Sequence, residues 1–225
     1  MYRSAFLVLL VALCSFRFSP DQTNDLVMKA AESQLPVYIA KIPAGQEAAY
    51  GFTDQDNMDQ CTVGKPFRML VFTNDFYITK TEPEVNYLTI KNEWRVPVSI
   101  NGQNRTLLTL DGNPGNFSVS GMGGTELSKE LQLKSAGLPA TDNFYLLRVF
   151  PLSADFLVSE HDNSFADAQF IPLASATVAI PSLAKNKKAT YTLDEVQQMV
   201  KDAVGKKPAQ KDTTKKKSQK KGSSK

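Results

Sequence analysis

Two residues of this chain could pair as nucleophile and base: Cys61 and His161, the latter the only histidine in 225 residues. A cysteine nucleophile needs an imidazole within hydrogen-bond reach, but any Cys and any His meet so minimal a description. The ordinary reading of Cys61 is a buried structural thiol, and a lone histidine argues against a histidine-rich zinc site or a metalloprotease motif. Asp54, Asp56 and Asp59 fall close together. A calcium loop would also need a glycine at its sharp turn and a closing glutamate, both missing here, so the three read as an acidic cluster at a helix start.

Gly121–Gly124 is followed by neither the GK[ST] ending of a phosphate loop nor a dinucleotide fingerprint, and reads as a strand-to-helix turn. Glu82, Glu84 and Glu93 are carboxylates of the kind glycoside hydrolysis uses, with two flanking one bond. Spacing along the chain does not bring them together, so they count as surface charges. Asn104-Arg105-Thr106 and Asn116-Phe117-Ser118 have the form of glycan acceptors, meaningful in a host that glycosylates exported proteins. The sequence therefore assigns no catalytic residue, no metal ligand and no cofactor.

Charge carries more information. Lys206, Lys207, Lys211, Lys215, Lys216, Lys217, Lys220, Lys221 and Lys225 stand against one acidic residue, Asp212, giving the last 20 residues a net charge of +8. The whole chain is only +3, so everything ahead of the tail sums to −5. The tail has no apolar side chain able to fold it and is expected to be disordered. A lysine cluster of this kind attracts polyanions by releasing counterions, which makes it the expected anion-binding element, for an anionic surface or polysaccharide. No aromatic or arginine accompanies the lysines, so sequence-specific nucleic-acid reading is not expected.

At the other end, Met1-Tyr2-Arg3 precedes an apolar run from Ala5 to Phe16 and then polar Ser19-Pro20-Asp21-Gln22. That run is shorter than the ~20 residues a membrane-spanning helix takes and matches a signal peptide, assigned to residues 1–18. No later segment is apolar enough to span a membrane. The protein is thus expected to be secreted or periplasmic. Acylation of Cys14 as a lipid anchor is the alternative, weakened by bulky Leu13 just before it. Loss of the leader leaves Cys61 as the only thiol, so the exported body must rely on burial rather than a disulfide.

The elements that must position all of this follow from periodicity. An amphipathic helix is expected over Thr23–Leu35, stopped by Pro36, then short helical turns through Gln60. Strands are expected at Phe67–Phe72, Phe76–Lys80 and Tyr87–Ile90. Trp94–Ile100 and Arg105–Leu110 flank Asn101-Gly102, two residues that tolerate the positive φ of a type I′ turn, and form a hairpin whose loop Gln103-Asn104 could widen. Pro97 in its first arm cannot donate a ladder hydrogen bond and belongs at an edge or an unpaired position. A strand at Phe117–Ser120 leads into an inserted helix over Glu126–Ala136, with Leu127, Leu131 and either Leu133 or the stem of Lys134 facing a core, and Gly137 and Pro139 ending it. Further strands are expected at Phe144–Phe150, Asp155–Val158, Gln169–Leu173 and Thr177–Ile180.

Strands in runs with helices grouped before and between them predict an α+β fold with a mainly antiparallel sheet. It would have N-terminal helices, one inserted helix, a linked C-terminal helix and the basic tail. The globular domain is assigned to residues 19–181, and a linker with an amphipathic helix to 182–205. Thr192 and Glu195 form a capping box. Leu193, Val196, Val200 and Val204 follow at helical spacing. A helix this short needs a surface to dock on, which is either the body of the chain or a protein partner. The expected function is a non-enzymatic binding or envelope-associated protein, its body or C-terminal helix engaging a partner while the tail adheres to anionic material. The alternative is a secreted hydrolase of an extracellular polymer.

Overall fold

The structure, a computed structural model, describes residues 20–78, 87–162, 164–186 and 188–205. The leader, the lysine tail, Glu82 and Glu84 lie outside these residues. The described chain is α+β, with helices packed on a mostly antiparallel eight-stranded sheet. Its strands are β1 (Thr62–Val63), β2 (Phe67–Phe72), β3 (Leu88–Ile100), β4 (Gln103–Asn113), β5 (Asn116–Gly123), β6 (Asn143–Val149), β7 (Ala154–Glu160) and β8 (Gln169–Pro172). They run in the order β5-β4-β3-β2-β6-β7-β8, with β1 also on β3, and only the central β2–β6 pair is parallel.

The hairpin forms as its turn residues require. Asn101 and Gly102 sit at φ 52° and 73°, and β4 begins at once at Gln103, which pairs with Ile100 rather than widening the loop. Pro97 is not at an edge but in the interior of the sheet, opposite Leu107. Its carbonyl accepts from the Gly64 amide. Because the amide and carbonyl of a strand residue point the same way, its missing N–H faces the Gly64–Pro66 break between β1 and β2, where no ladder bond is lost.

Each face of the sheet has its own cover. On one face, α1 (Pro20–Ile39) lays Val27, Ala31 and Leu35 over Trp94, Val96, Leu108 and Leu110 of the hairpin. Farther along that face, Leu70, Leu147, Val149, Phe156 and Phe170 are roofed by α2 (Asn74–Ile78), α4 (Ala174–Ala179), α5 (Pro181–Asn186) and α6 (Leu193–Gly205). The opposite face, with Met69, Leu107, Leu146 and Leu157, receives Leu131 of α3 (Thr125–Ser135). Both outer edges are occupied. Gln34 of α1 donates to the Phe117 carbonyl and accepts from the Val119 amide of β5, and Tyr38 donates to the Val119 carbonyl. Tyr191 exchanges two backbone bonds with Phe170 of β8. These contacts answer the unpaired backbone groups that make an edge strand a template for other chains.

Several expected elements are corrected. Phe76–Lys80 is no strand: Phe76 opens into α2 because its ring stacks on Phe72 at 4.0 Å, a contact available only if the chain turns helical after Thr73. Thr177–Ile180 is not a strand either but belongs with α4, where the Thr177 amide and hydroxyl both bond the Leu173 carbonyl and Ala176 is buried. The linker after Pro181 is partly α5, with the proline at its first position, where a missing N–H costs nothing, and Leu183 buried. Pro36 does not stop α1. It lies in the last turn on the exposed side, so the Glu32 carbonyl that loses its partner stays near water. Leu133 of α3 is 78% exposed, and Lys134 is exposed as well; neither faces the core. Tyr87–Ile90 and Trp94–Ile100 are not separate strands: Leu88–Ile100 is one, irregular where Lys91–Glu93 lie between the two pairings.

Candidate ligand cleft

Beside the start of α1 lies a cavity of about 160 Å³ lined by Thr23, Asn24, Arg68, Ile90, Asn143, Phe144, Tyr145, Glu160 and Phe165. Topology assembles it. Arg68 lies opposite Trp94 on one neighbour and beside Tyr145 on the other, while Asn143 pairs with Glu160 across β6 and β7, so all of them project to the same side.

Arg68 is held in place by the β3 irregularity. Its Nε donates to the Lys91 carbonyl at 3.0 Å, one terminal nitrogen (Nη2) donates to Asn92 at 2.9 Å, and the guanidinium lies over the Trp94 ring at 5.0 Å. Nη1 carries no hydrogen bond among the described residues, and none of their carboxylates pairs with the guanidinium. Burial disfavours its charged form and pulls its pKa down. Glu160, 1% exposed, accepts from Asn143 Nδ2 at 3.2 Å and from the Ser164 amide at 2.9 Å, with no described cation as partner. Tyr145 lines the same cavity beside Arg68. Burial pushes its phenol up, the Glu160 charge pushes it further, and Arg68 pulls it back.

The nucleophile candidates do not converge. Burial, with help from Asp56 and Asp59, pushes the Cys61 thiol up to about 11, leaving it protonated and unreactive at neutral pH. His161 belongs to a different group. Its Nδ1 is 3.0 Å from Asp142 Oδ1, while Ser159 donates to Asp142 Oδ2 at 2.5 Å and Lys65 donates to the Asp142 carbonyl at 2.6 Å. The order is Ser–Asp–His, whereas acyl transfer needs the hydroxyl on the imidazole. This cluster ties the β6 and β7 ends together.

Asp56 is structural: burial pushes its carboxyl up, but the Thr53 amide and hydroxyl and the Arg105 guanidinium at 2.7 Å outweigh it and hold the carboxyl below the usual range. No group of metal-binding side chains forms among the described residues. Glu93 is paired with Arg95 at 2.6 Å rather than with a second carboxylate. Gly124 starts α3 at φ 78°, the left-handed conformation that a strand-to-helix turn requires there.

The capping box of α6 forms in both directions, Thr192 amide to Glu195 at 3.1 Å and Glu195 amide to the Thr192 hydroxyl at 3.3 Å. Val196 and Val200 are fully buried in the chain's own core, and Leu193 and Val204 pack against it. Of the two surfaces open to this apolar face, the body of the chain or a protein partner, the body covers Val196 and Val200. The nine tail lysines lie outside the described residues. Among the described residues no helix is long and apolar enough to cross a membrane.

The cleft residues escaped the sequence reading because they come from five separate elements. One signal was present: Arg68 interrupts the apolar strand Phe67-Arg68-Met69-Leu70-Val71-Phe72, and an inward charge in such a strand needs a reason. Comparison of the chain with protein-family models, curated proteins and solved structures found no match.

Proposed function

We propose that this chain is an exported, non-enzymatic binding protein of the cell envelope or its surroundings, whose body holds a small polar ligand in the cleft of Arg68, Tyr145 and Glu160. Lys206–Lys225 adds electrostatic adhesion to an anionic surface or polysaccharide. The observation that carries this reading is the pair of opposite charges lining one cavity without a described partner. Buried or half-buried charges are ordinarily paired, because an isolated one costs several kcal/mol. A site that instead leaves both waiting is built to be completed from outside. The export segment Ala5–Phe16 supplies the compartment, and the tail's +8 charge the affinity for polyanions.

The test is capture of anionic material across a salt series, with the full chain and a variant lacking 206–225. Truncation is expected to lower retention on vesicles rich in anionic lipid, or on an acidic polysaccharide, and to flatten its salt dependence, while the body keeps its unfolding midpoint. Equal retention of both chains at every salt concentration removes the adhesive role.

A further inference from the structure

Arg68 and Glu160 line the same cavity, yet they form no ion pair with each other, so their charged atoms lie beyond the 4.0 Å of such a contact. The Arg68 fork is anchored through Nε and one Nη2 hydrogen, which leaves its Nη1 end without a hydrogen bond among the described residues. Glu160 accepts two hydrogen bonds, while a carboxylate has about four acceptor sites. Two opposite charges thus line one cavity without touching each other.

We propose, resting on the binding reading above, that the cavity takes a small zwitterion of the α-amino-acid class, its carboxylate on the Nη1 end of Arg68 and its ammonium on Glu160. Tyr145 lines the same cavity beside Arg68. A guanidinium recognises a carboxylate by charge-assisted hydrogen bonds, and an ammonium brings three donors to a carboxylate that has acceptor sites to spare. The ligand that satisfies one charge alone leaves the other unpaired under it. A zwitterion satisfies both and adds no net charge to the site.

Size points the same way. A cavity of about 160 Å³ corresponds to about five waters at ~30 Å³ each. It lies below the ~300 Å³ at which pockets for drug-sized ligands begin. That is room for a small amino acid, or for one charged end of a peptide, and not for a nucleotide or an enclosed sugar chain. Ile90 and Phe165 supply apolar wall for a short side chain.

The experiment is isothermal titration calorimetry of the full chain with alanine, propionate and ethylamine, the last two being alanine without its ammonium and without its carboxylate. Alanine is expected to bind at least about tenfold more tightly than either, since each analogue forfeits one charge-assisted contact and strands its partner. Arg68→Gln is expected to erase the preference over ethylamine, and Glu160→Gln the preference over propionate. Should Arg68→Gln loosen the β3 irregularity that it clasps, Arg68→Lys keeps the charge and is expected to preserve the rank order with weaker binding.

Propionate binding as tightly as alanine in the native chain overturns the zwitterion in favour of a plain anion site, and leaves the binding reading standing. Heat from none of the three, with tail-independent capture of envelope material intact, overturns the ligand class but not the binding function. Absence of both overturns the two together.

Discussion

The α6 half and the cleft stand on the same face of one sheet, adjoin along β6 and β7, and treat their side chains in opposite ways. Around α6 the apolar stripe lies on the chain's own core: Val196 and Val200 are at 0% exposure in the cluster of Phe156, Val158 and Phe170, and Leu193 and Val204 pack against it half-buried. In the cleft, two charges have been brought beside buried aromatic rings and left without each other. An amphipathic stripe reports only that a helix has something to lie on. A charge at low exposure with no described opposite charge beside it reports that something is missing, because neutral hydrogen bonds and ring contacts return only part of its desolvation.

The strongest way to break this contrast is Val200→Asp. If α6 belongs to the core, a carboxylate at a fully buried position leaves an uncompensated charge and is expected to lower stability by more than ~4 kcal/mol in urea unfolding, enough to unfold a marginal domain. An unchanged unfolding midpoint would return the apolar face of α6 to the list of free docking surfaces. Val204, which only packs against the rim of the core, should tolerate the same change far better.

Tyr191→Phe sharpens the contrast from within the α6 half. The Tyr191 hydroxyl is buried there without a hydrogen-bond partner among the described residues, and Tyr191 also lines a second, wider hollow of about 470 Å³ with Asn186, Asp194, Glu195, Gln198 and Met199. If that hollow is only a crease in the packing, removing the hydroxyl relieves an unsatisfied group and is expected to raise stability by about 1 kcal/mol, or leave it unchanged. A loss of more than ~1 kcal/mol in the same unfolding assay means that the hydroxyl holds a partner, and the crease becomes a second site.

What the sequence made legible in these two regions follows from the range of the interactions that decide them. The Asn101-Gly102 turn and the Thr192–Glu195 box are settled within four residues, and both form as read. Pro97 was legible in kind but not in place: it does sit where no ladder bond is lost, yet the break that permits this lies far upstream at Gly64–Pro66. Phe76 and Thr177 misled because aromatic and β-branched side chains favour strands only where a neighbouring strand exists to receive them. Stacking on Phe72 and bonding to Leu173 made both helical instead. The cleft was least legible of all. Arg68 and Tyr145 are neighbours only because β2 and β6 run parallel, the one pair in the sheet whose partners cannot be joined by a short turn.

The smallest effect concerns the His161 cluster at the end of β7, one residue from Glu160. The hydrogen bond to Asp142 raises the pKa of His161 above its usual 6.5, with further contributions from Asp162, the Asp142 charge and Glu160. A histidine whose folded pKa lies above its unfolded value stabilises the fold fully below the unfolded value, and that contribution is lost as pH rises through the folded one. The native chain should therefore gain over His161→Ala near pH 5.5 and lose that margin by pH 8.5, measured as the gap between their urea midpoints. His161 is 67% exposed, so water and salt screen the pair and the gap is expected to be small. A gap that widens toward high pH reverses the sign and means that Asp142 does not hold the protonated ring. Binding of an ammonium group at Glu160 should shrink the gap further, since it offsets part of the negative charge that helps raise the His161 pKa. The same titration repeated with saturating alanine thus compares the rim with the cleft directly.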